Sequence, residues 1–184
     1  MDDDRVNIFM KDRKHDTFRW EYLGDIAEGR SDLGSEMPVL IYRLMQYTML
    51  DILSKEYGLE KANGYFRKAG FISGTEFANN MLDLKADFNL FVSNLQQYLE
   101  NLKIGILRME EYDPESGDIT LTVGQDLDCS GLPVTYENVC TYDEGFLSGI
   151  FEAYMGKKYN VREVDCWANG DRVCRFNGSV VDGK

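Results

Sequence analysis

Four cysteines, Cys129, Cys140, Cys166 and Cys174, occupy only the last third of a 184-residue chain that has none before them. Thiols gathered in this way constrain the fold more than any other feature. In a reducing compartment they are kept as free thiols, so their clustering points to a metal site before it points to disulfides. The plain alternative is a set of small buried hydrophobes, which free cysteines often are. The opening Met1-Asp2-Asp3-Asp4 lacks the basic and apolar start of a secretory signal, so a reducing, cytoplasmic setting is expected.

Charge narrows the partners. Lys+Arg 20 against Asp+Glu 32 gives a net charge of −12. A chain that acidic is a poor binder of phosphate backbones or anionic membrane surfaces. No apolar run approaches the roughly 20 residues needed to cross a bilayer. No nucleic-acid or membrane partner is therefore expected.

The pattern of the chain reads as an N-terminal arm, 1–33, followed by one domain, 34–184. The arm carries Phe9, Phe18, Trp20 and Tyr22 without a clear period and is expected as strand or loop. From Ser35 a helical period takes over, with Pro38 in a first turn and Gly58 as the stop. A shorter helix is predicted over 59–69, closed by Gly70. Ser73-Gly74-Thr75-Glu76 reads as a capping box opening another, and Phe88 to Leu102 forms a fourth. The second half alternates: 104–112 and Ile119–Val123 as strands, a helix from about Tyr136 to Met155, then strands over 159–168 and 172–181. Asn169-Gly170 between the last two is a strong hairpin signal. The fold class is α+β, with N-terminal helices packed on an antiparallel sheet and a C-terminal helix and hairpin. Gly145 and Gly149, one turn apart, mark a face built for close packing, read here as the contact of a homodimer.

Chemistry is sparse outside the cysteines. Phosphate-cradling glycine motifs are absent, and the single histidine, His15, lies in the arm. If the hairpin loop holds three residues, Cys166 and Cys174 face each other. Cys140 falls at the start of the preceding helix, where the helix dipole favours a thiolate. A tetrahedral ion needs a fourth donor. Glu163 and Cys129 are the two suppliers, and strand parity opposes Glu163 unless a bulge intervenes.

The stretch Cys140-Thr-Tyr-Asp-Glu-Gly145-Phe-Leu-Ser-Gly149, then Gly156, then Val161-Arg-Glu163-Val-Asp-Cys166-Trp-Ala-Asn-Gly170-Asp-Arg-Val-Cys174-Arg-Phe176, resembles the 4-vinyl reductase domain, also described as a predicted hydrocarbon-binding domain. The diagnostic element is E-x-x-C-x-x-x-x-x-x-x-C with an upstream C-x-x-x-x-G. The resemblance implies an α+β, commonly dimeric fold similar to that of TRAPP vesicle-tethering subunits. It also implies a structural zinc on Cys140, Glu163, Cys166 and Cys174, with Cys129 the alternative fourth ligand. Relatives that sense phenols place a histidine and a tryptophan in the pocket upstream of the first zinc cysteine. His15 and Trp20 lie too far N-terminal to fill those places, so a less polar ligand is expected.

The functional expectation is a zinc-containing protein that binds or senses a small apolar or aromatic ligand and acts through a separate regulatory partner. Met45, Phe66, Phe77, Phe88, Phe91 and Trp167 are the candidate pocket lining. The alternatives are a vinyl-group reductase or accessory protein of tetrapyrrole-type metabolism, and a structural adaptor dimer without ligand. A reductase needs a hydride source, and no nucleotide or flavin motif is visible, so a non-enzymatic role is favoured.

Overall fold

Why the sheet's last strand lies inside it is best seen from the hydrophobic alternation of the second half. The computed structural model describes residues 18–181, so His15 lies outside it. The chain divides into two compact units, residues 1–36 and residues 37–184. In the first unit the described residues form a short 3-10 turn, Trp20–Leu23, and a helical turn α1, Ile26–Gly29. Asp25 caps α1 by accepting the Glu28 N–H at 2.8 Å, as a short acidic side chain at an N-cap does. Local capping thus makes helical turns where the aperiodic sequence suggests strand or loop.

The second unit holds helices α2 (Val39–Tyr57), α3 (Leu59–Met81), α4 (Phe88–Asn101) and α5 (Thr141–Met155), and strands β1 (Ile106–Tyr112), β2 (Ile119–Gly124), β3 (Tyr159–Asp165) and β4 (Cys174–Val180). The strands form one antiparallel sheet in the order β1-β2-β4-β3. Ile119, Leu121, Val123, Val161 and Phe176 are buried along it. The stripe Phe91, Val92, Leu95 and Leu99 of α4 is buried too, and α4 meets β1 while α5 meets β3. Burial of such side chains contributes roughly 1.5–3 kcal/mol each.

Two expectations about glycine are corrected. Gly70 does not close a helix, and Ser73–Glu76 does not open one: both lie inside the continuous α3. Gly70 and Gly74 face Gly145 and Gly149 of α5 across a backbone-on-backbone contact. A Cβ at Gly70 would sit 2.9 Å from the Phe146 nitrogen, and one at Gly149 would sit 2.8 Å from the Thr75 nitrogen. These glycines buy close approach at the cost of helix propensity, about 1 kcal/mol each. Since α3 occupies the Gly145/Gly149 face, that face is not the dimer contact anticipated from sequence.

Candidate metal centre

The hairpin departs from its predicted form in a way that shapes the site. β3 stops at Asp165 and β4 begins at Cys174, so eight residues, 166–173, connect them. Within this connection Trp167–Asn169 is a 3-10 turn, and Gly170 adopts a left-handed φ of 108°. The Cys166 carbonyl accepts from the Asn169 and Asp171 amides at 3.0 and 3.1 Å. Asn169-Gly170 does turn the chain, but it closes this knuckle rather than a two- or three-residue hairpin. Between Glu163 and Asp165 the register slips. That bulge turns Val164 outward and leaves both Glu163 and Cys166 buried, so the parity objection to Glu163 does not apply.

Three separate segments deliver the thiols. Cys129 lies in the loop after β2, Cys140 is the residue preceding α5, and Cys166 and Cys174 bracket the knuckle. The predicted helix start near Tyr136 is replaced by irregular chain up to Cys140, with Tyr136 at a positive φ of 63°. All four thiols are buried, and their sulfurs lie within 4.8 Å of one another. Cys140 Sγ is 3.8 Å from both Cys166 Sγ and Cys174 Sγ, and Cys129 Sγ is 3.1 Å from Cys174 Sγ. Four buried cysteines in this arrangement are able to hold one metal ion.

Glu163 sits beside the thiols in a different role. Its Oε2 accepts the Cys140 backbone N–H at 3.1 Å, while Oε1 is buried without a hydrogen-bond partner among the described residues. Burial, and then the Cys166 sulfur, push its carboxyl up to about 9. Glu163 is itself held in place: its N–H donates to Glu144 Oε1 at 3.0 Å. The other oxygen of Glu144 is paired with Arg67 and, at 3.0 Å, with Arg162. Without a cation the thiols share protons unequally. Hydrogen bonding with Cys129 and the other thiols holds Cys166 down, whereas Cys129 and the burial around it raise Cys140 and Cys174.

A set of residues not singled out from sequence braces the Cys129 loop. Asp126 Oδ1 accepts the Asp128 and Cys129 amides at 2.8 and 3.1 Å, an Asx turn. Burial, and then Asp128, push the Asp126 carboxyl up to about 7. From α2, the Tyr42 hydroxyl donates to Asp128 Oδ1 at 2.7 Å and Gln46 Nε2 donates to Asp128 Oδ2 at 2.6 Å. Arg43 donates to the Leu127 and Ser130 carbonyls, and Tyr47 to the Asp128 carbonyl. Polar residues at 42, 43, 46 and 47 on an otherwise apolar helix were the available signal. Their partners, more than 80 residues away, were not.

The candidate pocket residues are not brought together. Phe77 and Phe91 are core, packed against Phe146 and against Phe151 and Tyr154. Phe88 stacks on Tyr112 at 3.6 Å between ring centroids, and Phe66 is half-buried on α3. Met45 is 62% exposed on α2. Trp167, pinned by its Nε1–H on the Leu132 carbonyl at 3.1 Å, lines a separate cleft beside the Cys129 loop.

Known proteins share this architecture. A protein of Methanocaldococcus jannaschii, MJ1642, is 27% identical over 153 residues, covering 83% of this chain and 84% of that one. The transcriptional regulatory protein XylR of Pseudomonas putida is 26% identical over 171 residues, covering 85% of this chain but 29% of the regulator. Among solved structures, the phenol-responsive sensory domain of the transcription activator PoxR superposes with a TM-score of 0.59 at 19% identity, covering 79% of this chain and 77% of that domain. A vinyl-4-reductase family protein of Methanocaldococcus jannaschii gives 0.61 at 16% identity, covering 91% and 99%. A trafficking protein particle complex subunit 3 of Naegleria fowleri gives 0.63 at 9% identity, covering 78% and 95%. At these identities the structures speak for the fold, which is the α+β arrangement described above. The family profile of the 4-vinyl reductase domain matches residues 119–179, a span that holds β2, α5, β3, most of β4 and all four cysteines, and by that match this part of the chain belongs to the 4-vinyl reductase domain family.

Proposed function

We propose that this chain is a zinc-tied sensor of a small apolar or aromatic molecule, acting through a separate regulatory partner. The observation that carries the reading is the convergence of four buried thiols. A regular tetrahedron with Zn–S bonds of about 2.3 Å has S···S edges of about 3.8 Å, which the two Cys140 distances of 3.8 Å match. The proposed ligands are Cys129, Cys140, Cys166 and Cys174, with Glu163 an outer residue holding the Cys140 amide. Outer partners of this kind orient the ligands they touch. Four thiolates close the coordination sphere and leave no position for a reacting water, so zinc here is structural. Its work is to join the Cys129 loop, the start of α5 and the β3–β4 knuckle.

The sensing half of the reading draws support from the 4-vinyl reductase domain match and from likeness to a phenol-responsive domain and to XylR, both parts of transcription regulators. The partner is expected in the cytoplasm, where the thiols stay reduced. Homodimerisation is retained on a different surface. Leu40, Ile41, Leu44, Met45, Met49 and Ile52 line the outer side of α2 and are each 48–66% exposed. An apolar stripe of that extent is self-complementary under two-fold symmetry and marks a contact with a second copy.

Metal analysis of the protein purified under reducing, chelator-free conditions tests the centre. One zinc per chain is expected, lost in Cys129→Ser and kept in Glu163→Gln. The reverse pattern would return Glu163 to the inner sphere, and a metal-free wild type would end the reading.

A further inference from the structure

The cleft beside the Cys129 loop has a chemistry of its own. It encloses about 440 Å³, a volume within the range of small-molecule sites. Trp167 and Leu127 supply apolar wall, and Arg43, Lys103 and Arg172 converge on it from α2, from the turn after α4 and from the β3–β4 knuckle. Bringing three cations to one cleft is unexpected in a chain of net charge −12. None of the three forms an ion pair among the described residues, whose ion pairs use Lys55, Arg67, Arg162 and Arg175. Asp126 is the carboxylate of the wall, and its Oδ1 is already engaged by the Asp128 and Cys129 amides.

Arg43 is oriented before any ligand arrives. Its Nε and Nη2 donate to the Leu127 and Ser130 carbonyls at 2.8 and 2.9 Å, which fixes the guanidinium at the rim. Trp167 is likewise pinned by its Nε1–H. A fixed cation and a fixed aromatic wall, with Lys103 and Arg172 exposed beside them, match a planar ring that bears a negative charge. Such a ring stacks or packs on the indole while its anion meets the cations.

We infer that this cleft binds an aromatic acid, an aryl carboxylate or its like, rather than a neutral hydrocarbon. The inference rests on the sensing function proposed above and specifies its ligand. Because the wall is the loop that carries Cys129, a ligand seated there bears on the segment that also supplies the metal centre. The cleft thus places recognition next to the element that α2 grips.

The test is calorimetric titration of the full, zinc-loaded chain with 2-naphthoate and with its uncharged counterpart 2-naphthamide. Binding of naphthoate at one site, at least roughly tenfold tighter than naphthamide, is expected, with affinity falling as salt is raised. Replacing both exposed cations, Lys103→Gln with Arg172→Gln, should weaken naphthoate roughly tenfold and leave naphthamide unchanged. Circular dichroism and zinc content confirm that this double variant is folded. Equal binding of the two probes, or a double variant that binds naphthoate like the wild type, overturns the anionic ligand while leaving an arene sensor intact. Absence of heat from both probes overturns the cleft itself, and the zinc measurement then reports separately on the metal centre.

Discussion

Gln46 on α2 and Asp128 in the loop after β2 meet at 2.6 Å, amide nitrogen to carboxylate oxygen, although 82 residues separate them. Tyr42, one turn earlier, takes the other oxygen of the same carboxylate. Asp128 is therefore the anchor by which α2 is fastened to the segment bearing Cys129. Asp128→Ala would strand two donors, one of them on a buried glutamine. A loss of about 2–4 kcal/mol is expected in chemical denaturation, with faster hydrogen exchange confined mainly to α2. Unchanged exchange there would show that the helix is held by other means.

Two glycine substitutions separate crowding from backbone strain. Gly145→Ala drives a methyl against the Arg67 carbonyl and to 2.8 Å from the Phe71 nitrogen. Neither backbone atom can step aside alone, so a cost of about 3 kcal/mol or more is expected. Gly156 has open space around it but a φ of 66°, so Gly156→Ala should cost about 1 kcal/mol. Melting curves giving equal losses would refute the glycine-face packing.

Much of this framework is legible in the residues. The extent of α2 and its stop at Gly58, the stripe of α4, the alternation of β2 and the gathering of cysteines all follow from local pattern. What escapes is decided by distant partners. Gly70 reads as a helix stop until α5 supplies glycines opposite it. Asn169-Gly170 reads as a tight hairpin, because nothing local announces that Cys166 and its carbonyl will organise an eight-residue knuckle. The nearness of Cys129 to Cys174 depends on the pairing of Val123 with Cys174, a register that no short-range signal encodes.

Removal of the metal is the sharpest perturbation. Binding energy at a structural site is folding energy. Chelation under reducing conditions should lower the melting temperature by on the order of 10 °C or more, and readdition of zinc should restore it. A melting curve indifferent to chelator would mean the thiols serve only as buried side chains.

The α2 stripe gives a prediction in solution. Leu44→Glu alters a residue 53% exposed, so the fold should survive while self-association fails. Sedimentation velocity should show a dimer for the wild type and a monomer for the variant. A wild-type monomer at micromolar concentration would remove the stripe as a self-contact.

Asp113, in the turn between β1 and β2, offers a pH signature. Its carboxylate accepts the Glu115 amide at 2.8 Å and the Ser116 hydroxyl at 3.0 Å, and the amide bond first of all holds its pKa below the ordinary 3.8. A depressed carboxyl contributes stability that is complete above 3.8 and is lost as pH falls through the lower folded value. Carbon-detected NMR titration should place Asp113 below the exposed aspartates, and Asp113→Asn should flatten the acid limb of stability. A midpoint at or above 3.8 would contradict the turn geometry.

The strand order carries a consequence for how the molecule comes into being. β4 is the last of the described strands yet lies between β2 and β3, and its first residue is Cys174. As the chain leaves the ribosome, α2, α3 and α4 form from near neighbours, but two of the three strand pairings wait for β4. The thiol cluster waits for the same residue. Sheet closure and metal capture are thus timed together, and until Cys174 emerges the nascent chain holds an open edge on β2 that a chaperone, or another nascent copy, is free to meet.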